Sequence, residues 1–226
     1  MSSNILVVAA HPDDEVLGCG GIIAKHVKLG DKVNVLFLTD GVSARDGTDE
    51  NNANERAKRK ESACMALEIL GVSDVVFEAF PDNQLDSIPL LKVVKVIECM
   101  ATRTCPDVVY SHSSADLNVD HVIAAKAVRT AFRPTKDNTV NKLLSFEVMS
   151  STEWAFDLNG VFKPNVYIDV SQFWDKKIAA LECYMAEMRS SPHARSFRSI
   201  EAHGARNGET VGFEYAEVLE LVWERN

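Results

Sequence analysis

Residues 5 to 15 are Ile5-Leu6-Val7-Val8-Ala9-Ala10-His11-Pro12-Asp13-Asp14-Glu15, and this stretch decides the fold. Its apolar run is short and rich in β-branched residues, which is typical of a buried strand. The following segment, Glu15 to Leu29, has helical spacing and ends at Gly30. An imidazole and carboxylates therefore share a strand-to-helix turn, where open α/β sheets bind ligands. One His beside two Asp offers nitrogen and oxygen donors to a divalent metal.

Strands and helices alternate along the rest of the chain. Further buried strands are predicted at 32–39, 74–77, 108–111, 143–148, 166–170 and 218–222. Further helices are predicted at 53–70, at 89–104, up to 131, and from Ser171, as the capping residue, to about Met188. The stretch between that last helix and the strand at 218–222 is predicted to be rich in loops. This order predicts an α/β fold with a parallel sheet and helices on both faces.

Composition narrows the class of protein. The chain has 226 residues, of which 46% are hydrophobic and 25% charged, as in a soluble protein with one α/β domain. Its 24 basic and 33 acidic residues give a formal charge of −9, which argues against nucleic acid as a partner. Five cysteines without a CxxC pair argue against a disulfide framework or a thiolate zinc site. We expect a cytoplasmic location, because neither a signal peptide nor a membrane span is apparent.

A second polar cluster, His112 to His121, follows the strand at 108–111. Because the carboxyl ends of parallel strands meet at one edge of a sheet, this cluster can approach the first turn. His11, Asp14 and His121 would then offer two imidazoles and one carboxylate and leave room for water and substrate, as in a catalytic zinc site. Asp13 remains free to act as a general base on a water whose pKa the metal lowers to roughly 7.

The motifs together resemble those of the LmbE-like (PIG-L) N-deacetylases. They are Ala10 to Glu15, Arg59-Lys60-Glu61 with Ala66 and Leu70-Gly71, Asn118-x-Asp120-His121, and Ser191 to Ser196. The resemblance implies a Rossmann-like, mostly parallel three-layer fold, with residues 1–226 as a single domain whose part from about 150 completes the substrate pocket. It also implies zinc held by His11, Asp14 and His121, with Fe²⁺ also compatible. The implied reaction removes acetyl from an N-acetylated amino sugar of GlcNAc type, nucleotide-linked or part of a glycan precursor, and the implied assembly is a homo-oligomer.

The resemblance also implies roles for single residues. Arg59 matches a substrate-contacting arginine, and Asp120 matches a carboxylate beside the distal ligand that orients an imidazole. Asn118 stands where the small-thiol branch of the family has a His. An amide can donate a hydrogen bond to an oxyanion but cannot shuttle a proton, so the acid role falls to Asp13, once protonated, or to His193.

Simpler interpretations of the same residues stay open. The His-Asp-Asp turn and Asp120 could cap helices, and Arg59 could lie on a solvated basic face. The glycines at 18, 20 and 21 favour close helix packing over nucleotide binding, because carboxylates in the turn would repel a pyrophosphate. His26, His112 and His203 are interpreted as surface or structural histidines. Two other functions remain, a metal-dependent amidase or esterase acting on a non-sugar substrate and a metal-free Rossmann-type nucleotide-binding module.

Overall fold

A computed structural model of the protein describes residues 2–42, 49–136, 138–158 and 160–225. Seven strands lie in this part of the chain: β1 Asn4–Ala9, β2 Lys32–Thr39, β3 Asp74–Phe80, β4 Val108–His112, β5 Lys142–Phe146, β6 Val166–Asp169 and β7 Ala216–Glu224. The α-helices of the same part are α1 Asp14–Leu29, α2 Asp49–Leu70, α3 Leu90–Thr104, α4 Val119–Ala131, α5 Trp174–Glu182 and α6 Phe197–Val211. None of the described helices is long and apolar enough to cross a membrane.

The seven strands form one sheet in the order β3-β2-β1-β4-β5-β7-β6. β7 runs antiparallel to β5 and β6, and the other pairs are parallel, which confirms the mostly parallel sheet. The chain moves from β1 outward to β3 and then crosses to β4 on the other side of β1. The carboxyl ends of β1 and β4 therefore flank a topological switch point, where α/β sheets bind their ligands.

β1 is apolar on both faces because helices cover both sides of the sheet. Ile5 and Val7 lie in a core with residues of α1, α2, α5 and α6. Leu6 and Val8, which point the other way, lie in a second core with residues of α3 and α4. The three-layer arrangement is thereby confirmed.

The glycines of α1 serve helix packing, as the sequence favours. A Cβ atom at Gly21 would lie 2.8 Å from Val170 Cβ, and one at Gly18 would collide with the Phe146 ring. The helix can therefore approach the sheet only with glycine at these positions.

Several predicted boundaries in the chain are wrong. α2 begins at Asp49 rather than Ala53, and α5 ends at Glu182 instead of near Met188. Ser171 does not cap α5, because its hydroxyl donates to Asp169 Oδ1 and accepts from the Tyr215 amide.

α6 occupies a stretch predicted to be rich in loops. Its two glycines weaken the helical signal, yet both are packing positions. A Cβ at Gly208 would lie 2.8 Å from the Glu214 carbonyl oxygen, and one at Gly204 would collide with Trp174. The helix begins after Ser196, whose hydroxyl accepts from the Ser199 amide at 3.2 Å.

Candidate active site

Three side-chain atoms converge at the turn that follows β1. Asp14 Oδ2 lies 3.1 Å from His11 Nδ1 and 3.2 Å from His121 Nε2, and the two nitrogens are 3.3 Å apart. Tetrahedral ligands at about 2.0–2.1 Å from a zinc ion are separated by about 3.3 Å. The donor types and their spacing therefore fit a divalent metal, and all three residues are buried.

The electrostatics of these three side chains suit a cation. Burial alone lowers the pKa of His121, but the Asp14 charge and the hydrogen bond to Asp116 raise it to about 9. Burial likewise opposes a charge on His11, yet hydrogen bonds to Asp120 and Asp14 raise its pKa well above the usual range. The pKa of Asp14 is raised by burial but lowered further by the two imidazoles, so that it lies well below its usual range. A bound metal ion would replace the protons that these imidazoles otherwise attract.

Each of the two imidazoles has a carboxylate at its other nitrogen. His121 Nδ1 lies 3.2 Å from Asp116 Oδ2. His11 Nε2 lies 3.1 Å from both Asp120 Oδ2 and Asp82 Oδ1, and these three residues form a second group able to hold a cation. Carboxylates in such positions fix the tautomer and the ring orientation of a metal ligand.

Asp120 thus contacts the imidazole of His11 rather than that of its neighbour in sequence, His121. It also accepts hydrogen bonds from the amides of Asn83 and Leu85. Asp120 does not cap α4, because that position belongs to Asn118, whose Oδ1 accepts from the Asp120 amide at 2.8 Å.

Asp13 lies beside the converging atoms in a strained backbone conformation. Its φ angle of 118° falls in the region that favours glycine. Its amide donates to Glu15 Oε2 at 2.9 Å, and the Tyr184 hydroxyl donates to Glu15 Oε1 at 2.7 Å. Burial raises the pKa of Glu15 to about 8. This buried pair therefore holds the backbone that presents the Asp13 side chain.

Two arginines approach the Asp13 carboxylate. Arg195 Nη1 donates to Asp13 Oδ2 at 2.9 Å, and Arg59 Nη2 lies 3.6 Å from the same oxygen. Burial raises the pKa of Asp13, and the charges of Arg195 and Arg59 oppose that rise. Arg59 also forms an ion pair with Glu187 and donates to the Pro12 carbonyl at 3.1 Å. Arg59 is thus part of a buried network and does not lie on a solvated helix face.

A cavity of about 380 Å³ opens above these groups. Of the described residues that line it, all except Gly41 have polar or charged side chains. The carboxyl-terminal part of the chain contributes Ser150, Ser151, Glu187 and Arg195 to the wall. The volume and lining suit a small polar molecule.

Most of the residues singled out in the sequence border this cavity: His11, Asp13, Asp14, Arg59, Asn118 and His121. The amide group of Asn118 is engaged at both ends, since its Nδ2 donates to Asn83 Oδ1 at 3.0 Å while its oxygen caps α4. His193 is not among the lining residues. Its Nδ1 accepts from the Arg195 amide at 3.0 Å, and its ring packs edge-on against Trp154. Arg195, from the same motif, reaches the cavity instead.

Several cavity or network residues were not predicted from the sequence, among them Asp82, Asp116, Ser151 and Glu187. Asp82 and Asp116 follow strands and belong to polar segments, a signal that marks the region without identifying the residue. Glu187 lies in a stretch predicted to be helical, where no pattern distinguishes it.

The three remaining histidines of the chain have structural partners. His112 is buried, accepts from the Ala10 amide at 2.8 Å, and has its pKa lowered to about 3 by burial. His26 lies between Asp31 and the Tyr110 hydroxyl, and His203 lies 2.7 Å from Glu147. These contacts agree with the interpretation from sequence.

Comparison with known proteins places this geometry in context. The family model for PIG-L, described as GlcNAc-PI de-N-acetylase, matches residues 6–132. A 4-oxalmesaconate hydratase of Pseudomonas putida is 28% identical, over 97% of this chain and 89% of its own length. A diacetylchitobiose deacetylase of Thermococcus kodakarensis is 26% identical, over 96% of this chain and 82% of its own. The crystal structure of the conserved protein TT1542 from Thermus thermophilus superimposes with a TM-score of 0.77 at 25% identity, covering 99% of this chain and 96% of that one.

Proposed function

Because the chain belongs to the PIG-L family, we propose that it is a metal-dependent N-deacetylase acting on an N-acetylated amino sugar of GlcNAc type. The observation that carries this proposal is the convergence of His11 Nδ1, Asp14 Oδ2 and His121 Nε2 beside Asp13 at a polar cavity. Two imidazoles and one carboxylate form the ligand set of hydrolytic zinc enzymes.

His11, Asp14 and His121 would hold the metal, and their nitrogen and oxygen donors suit Zn²⁺ or Fe²⁺. When bound, such an ion polarises the carbonyl of the acetyl group and lowers the pKa of a water molecule. Asp116 and Asp120 would keep the two imidazoles oriented toward it.

Asp13 would take the proton from the attacking water. Its position beside the ligand atoms supports this role, and the two arginines near its carboxylate favour the charged form that a base requires. Once protonated, Asp13 can return the proton to the amine as the amide bond breaks. His193 is a weaker candidate for the acid, since it does not line the cavity.

Negative charge that develops on the acetyl oxygen needs hydrogen-bond donors in the cavity wall. Arg195 and Asn118 are two of the donors in that wall, although the Asn118 amide must first leave Asn83. The cation of Arg195 makes it the stronger of the two. The acetate and the free amine then leave through the open cavity.

The substrate follows from the polar lining. Asp82, Asn83 and Ser150 offer side chains that can bind sugar hydroxyls. We propose residues 1–226 as a single catalytic domain, because the wall is built from both ends of the chain. A nucleotide-linked sugar or a glycan precursor, and a homo-oligomeric state, remain part of the proposal.

The test is an acetate-release screen with purified protein loaded with Zn²⁺ or Fe²⁺. We expect acetate from N-acetylglucosamine derivatives, loss of activity on chelation, and recovery when metal is restored. His121→Ala should abolish release, whereas the matched variant His26→Ala, which changes a histidine outside the cavity lining, should not. A protein that carries no metal and tolerates His121→Ala would contradict the proposal.

The similarity to a hydratase calls for a second assay, because addition of water to a carbon–carbon double bond also needs an activated water. An unsaturated oxo acid is followed by its absorbance under the same conditions. N-acetyl amino acids and simple acetate esters test the non-sugar amidase or esterase alternative. Turnover in one of these assays, without acetate release from N-acetylated sugars, would show that the substrate belongs to that other class.

A further inference from the structure

We infer that Asp116 is a positioning residue that joins the metal ligand His121 to the loop Ser150–Thr152 and thereby helps to place Asp13. The inference rests on the proposed function, since it assigns His121 and Asp13 their roles there. Asp116 is fully buried and lies in the segment between β4 and α4.

Asp116 contacts the imidazole of His121 directly. Asp116 Oδ2 lies 3.2 Å from His121 Nδ1, on the side of the ring opposite to Asp14 and His11. A carboxylate there accepts the Nδ1 proton, so the lone pair of Nε2 faces the other two donor atoms. Without it, the ring can carry its proton on Nε2 and cannot act as a ligand.

Asp116 also contacts the loop that follows β5. Thr152 Oγ1 donates to Asp116 Oδ2 at 2.6 Å, and the Ser151 hydroxyl donates to Asp116 Oδ1. The neighbouring Ser150 has a φ angle of 69°, in the region that favours glycine, and the loop is held by Asp116 together with Glu153, which accepts from the amides of Ser150 and Ser151.

The loop in turn contacts the arginine that holds the proposed base. Ser150 Oγ accepts from Arg195 Nε at 3.1 Å, and Arg195 Nη1 donates to Asp13 Oδ2 at 2.9 Å. A continuous set of hydrogen bonds and two peptide units therefore connects the Asp116 carboxylate to Asp13. Asp116 acts on one proposed ligand directly and on the proposed base through this loop.

Asp120 provides a useful contrast within the same segment. It contacts His11 and the amides of Asn83 and Leu85, and so joins the other imidazole to a different loop. Asp116 and Asp120, four residues apart in the sequence, therefore each contact one imidazole and one wall of the cavity. The loop tied to Asp116 is the one that reaches Asp13.

The experiment uses two variants of the full chain. Asp116→Asn keeps the size of the side chain but removes its charge, and we expect Zn²⁺ affinity, measured by competition with a chelating dye, to fall about 10- to 100-fold. Thr152→Val removes the hydroxyl that donates to Asp116 and accepts from the Val148 amide, and it leaves the Asp116 charge beside His121 in place. We expect it to keep wild-type Zn²⁺ affinity but to lower kcat of the zinc-loaded enzyme about 10-fold or more, because the base is misplaced.

Thr152→Ser is the matched control, because it restores the hydroxyl and should restore kcat. Wild-type Zn²⁺ affinity in folded Asp116→Asn, or wild-type kcat in Thr152→Val, would overturn the inference. If Asp116→Asn does not fold, the nitrogen-15 spectrum of the zinc-loaded wild type decides instead, since His121 must carry a proton on Nδ1. A wild-type chain that binds no Zn²⁺ would contradict the proposed function itself. A wild type that binds Zn²⁺, with variants that behave like it, would contradict only the inference about Asp116.

Discussion

Two clusters of buried charge lie along helix α1, one at its amino terminus and one at its middle, and only the first has the features of a ligand site. Lys177 donates to Glu217 Oε1 at 2.6 Å and to the Leu17 carbonyl at 2.9 Å, while Glu217 also accepts from the amides of Gly21 and Ile22. Every one of these contacts pairs a donor with an acceptor, so the cluster is complete in itself.

The cluster around His11 is different because, besides their paired contacts, three of its donor atoms converge on one point. Asp14 Oδ2, His11 Nδ1 and His121 Nε2 face one another within 3.3 Å, and Asp13 beside them has a strained backbone. Such an arrangement costs stability unless a cation joins it. Buried charge alone therefore does not indicate function, whereas converging donor atoms and local strain do.

The largest effect is expected from removing the proposed base, Asp13, from the cluster around His11. Asp13→Ala should lower kcat/KM of the metal-loaded enzyme by about 10²- to 10⁴-fold, the usual contribution of a general base. Zn²⁺ content should stay at the wild-type value, because the three donor atoms remain. Near-normal turnover of Asp13→Ala in the acetate-release assay would remove Asp13 from the mechanism.

The next largest effect is expected from disrupting the cluster of Lys177 and Glu217. Lys177→Met leaves Glu217 buried without its cation, and we expect the free energy of unfolding to fall by about 3–5 kcal/mol. Denaturant unfolding measures this loss, and kcat of the folded fraction should be unchanged because Lys177 does not line the active-site cavity. The double variant Lys177→Met/Glu217→Gln is the control and should recover part of the loss. A single variant of wild-type stability would show that the pair contributes nothing.

The converging cluster was also the part of the molecule most accessible to prediction from sequence. A buried apolar strand, a charged turn after it and a second polar segment after β4 suffice to place His11 and His121 together, because parallel strands end at one edge. The partners of the two imidazoles could not be predicted in the same way. Adjacent residues on a helix point in different directions, so Asp120 faces His11 while Asp116, from the loop, reaches His121.

Side chains on irregular segments were the least predictable. The motif Ser191 to Ser196 marks a segment near the cavity, but no periodicity tells which of His193 and Arg195 points inward. His193 was the residue predicted from the sequence as an acid, but Arg195 is the one that lines the cavity. The paired cluster was not predicted at all, because Lys177 and Glu217 look like ordinary surface residues of a helix and a strand.

A smaller effect concerns the carboxyl group that supports Asp13. Burial raises the pKa of Glu15 from 4.5 to about 8, so the folded protein holds a proton that the unfolded chain releases above pH 4.5. The stability associated with this group is complete below about pH 4.5 and declines as the pH rises through about 8. We expect Glu15→Gln, which stays neutral, to remove on the order of a few kcal/mol from the difference in unfolding free energy between pH 5 and pH 8. Identical pH profiles for wild type and Glu15→Gln would contradict this.

The smallest effect is expected from relieving the backbone strain at Asp13, which distinguishes the cluster around His11. Asp13→Gly and Asp13→Ala both lose the carboxylate and its arginine contacts, but only alanine retains a Cβ at a φ angle of 118°. Strain of this kind costs on the order of 1–3 kcal/mol, and the greater freedom of unfolded glycine offsets part of it. We therefore expect Asp13→Gly to be about 1 kcal/mol more stable than Asp13→Ala in denaturant unfolding. The same pair at exposed Glu61 within α2 should give the opposite order, since alanine is favoured in a helix. If alanine is the more stable residue at both positions, Asp13 stores no strain, and convergence of donor atoms alone distinguishes the site from the Lys177–Glu217 pair.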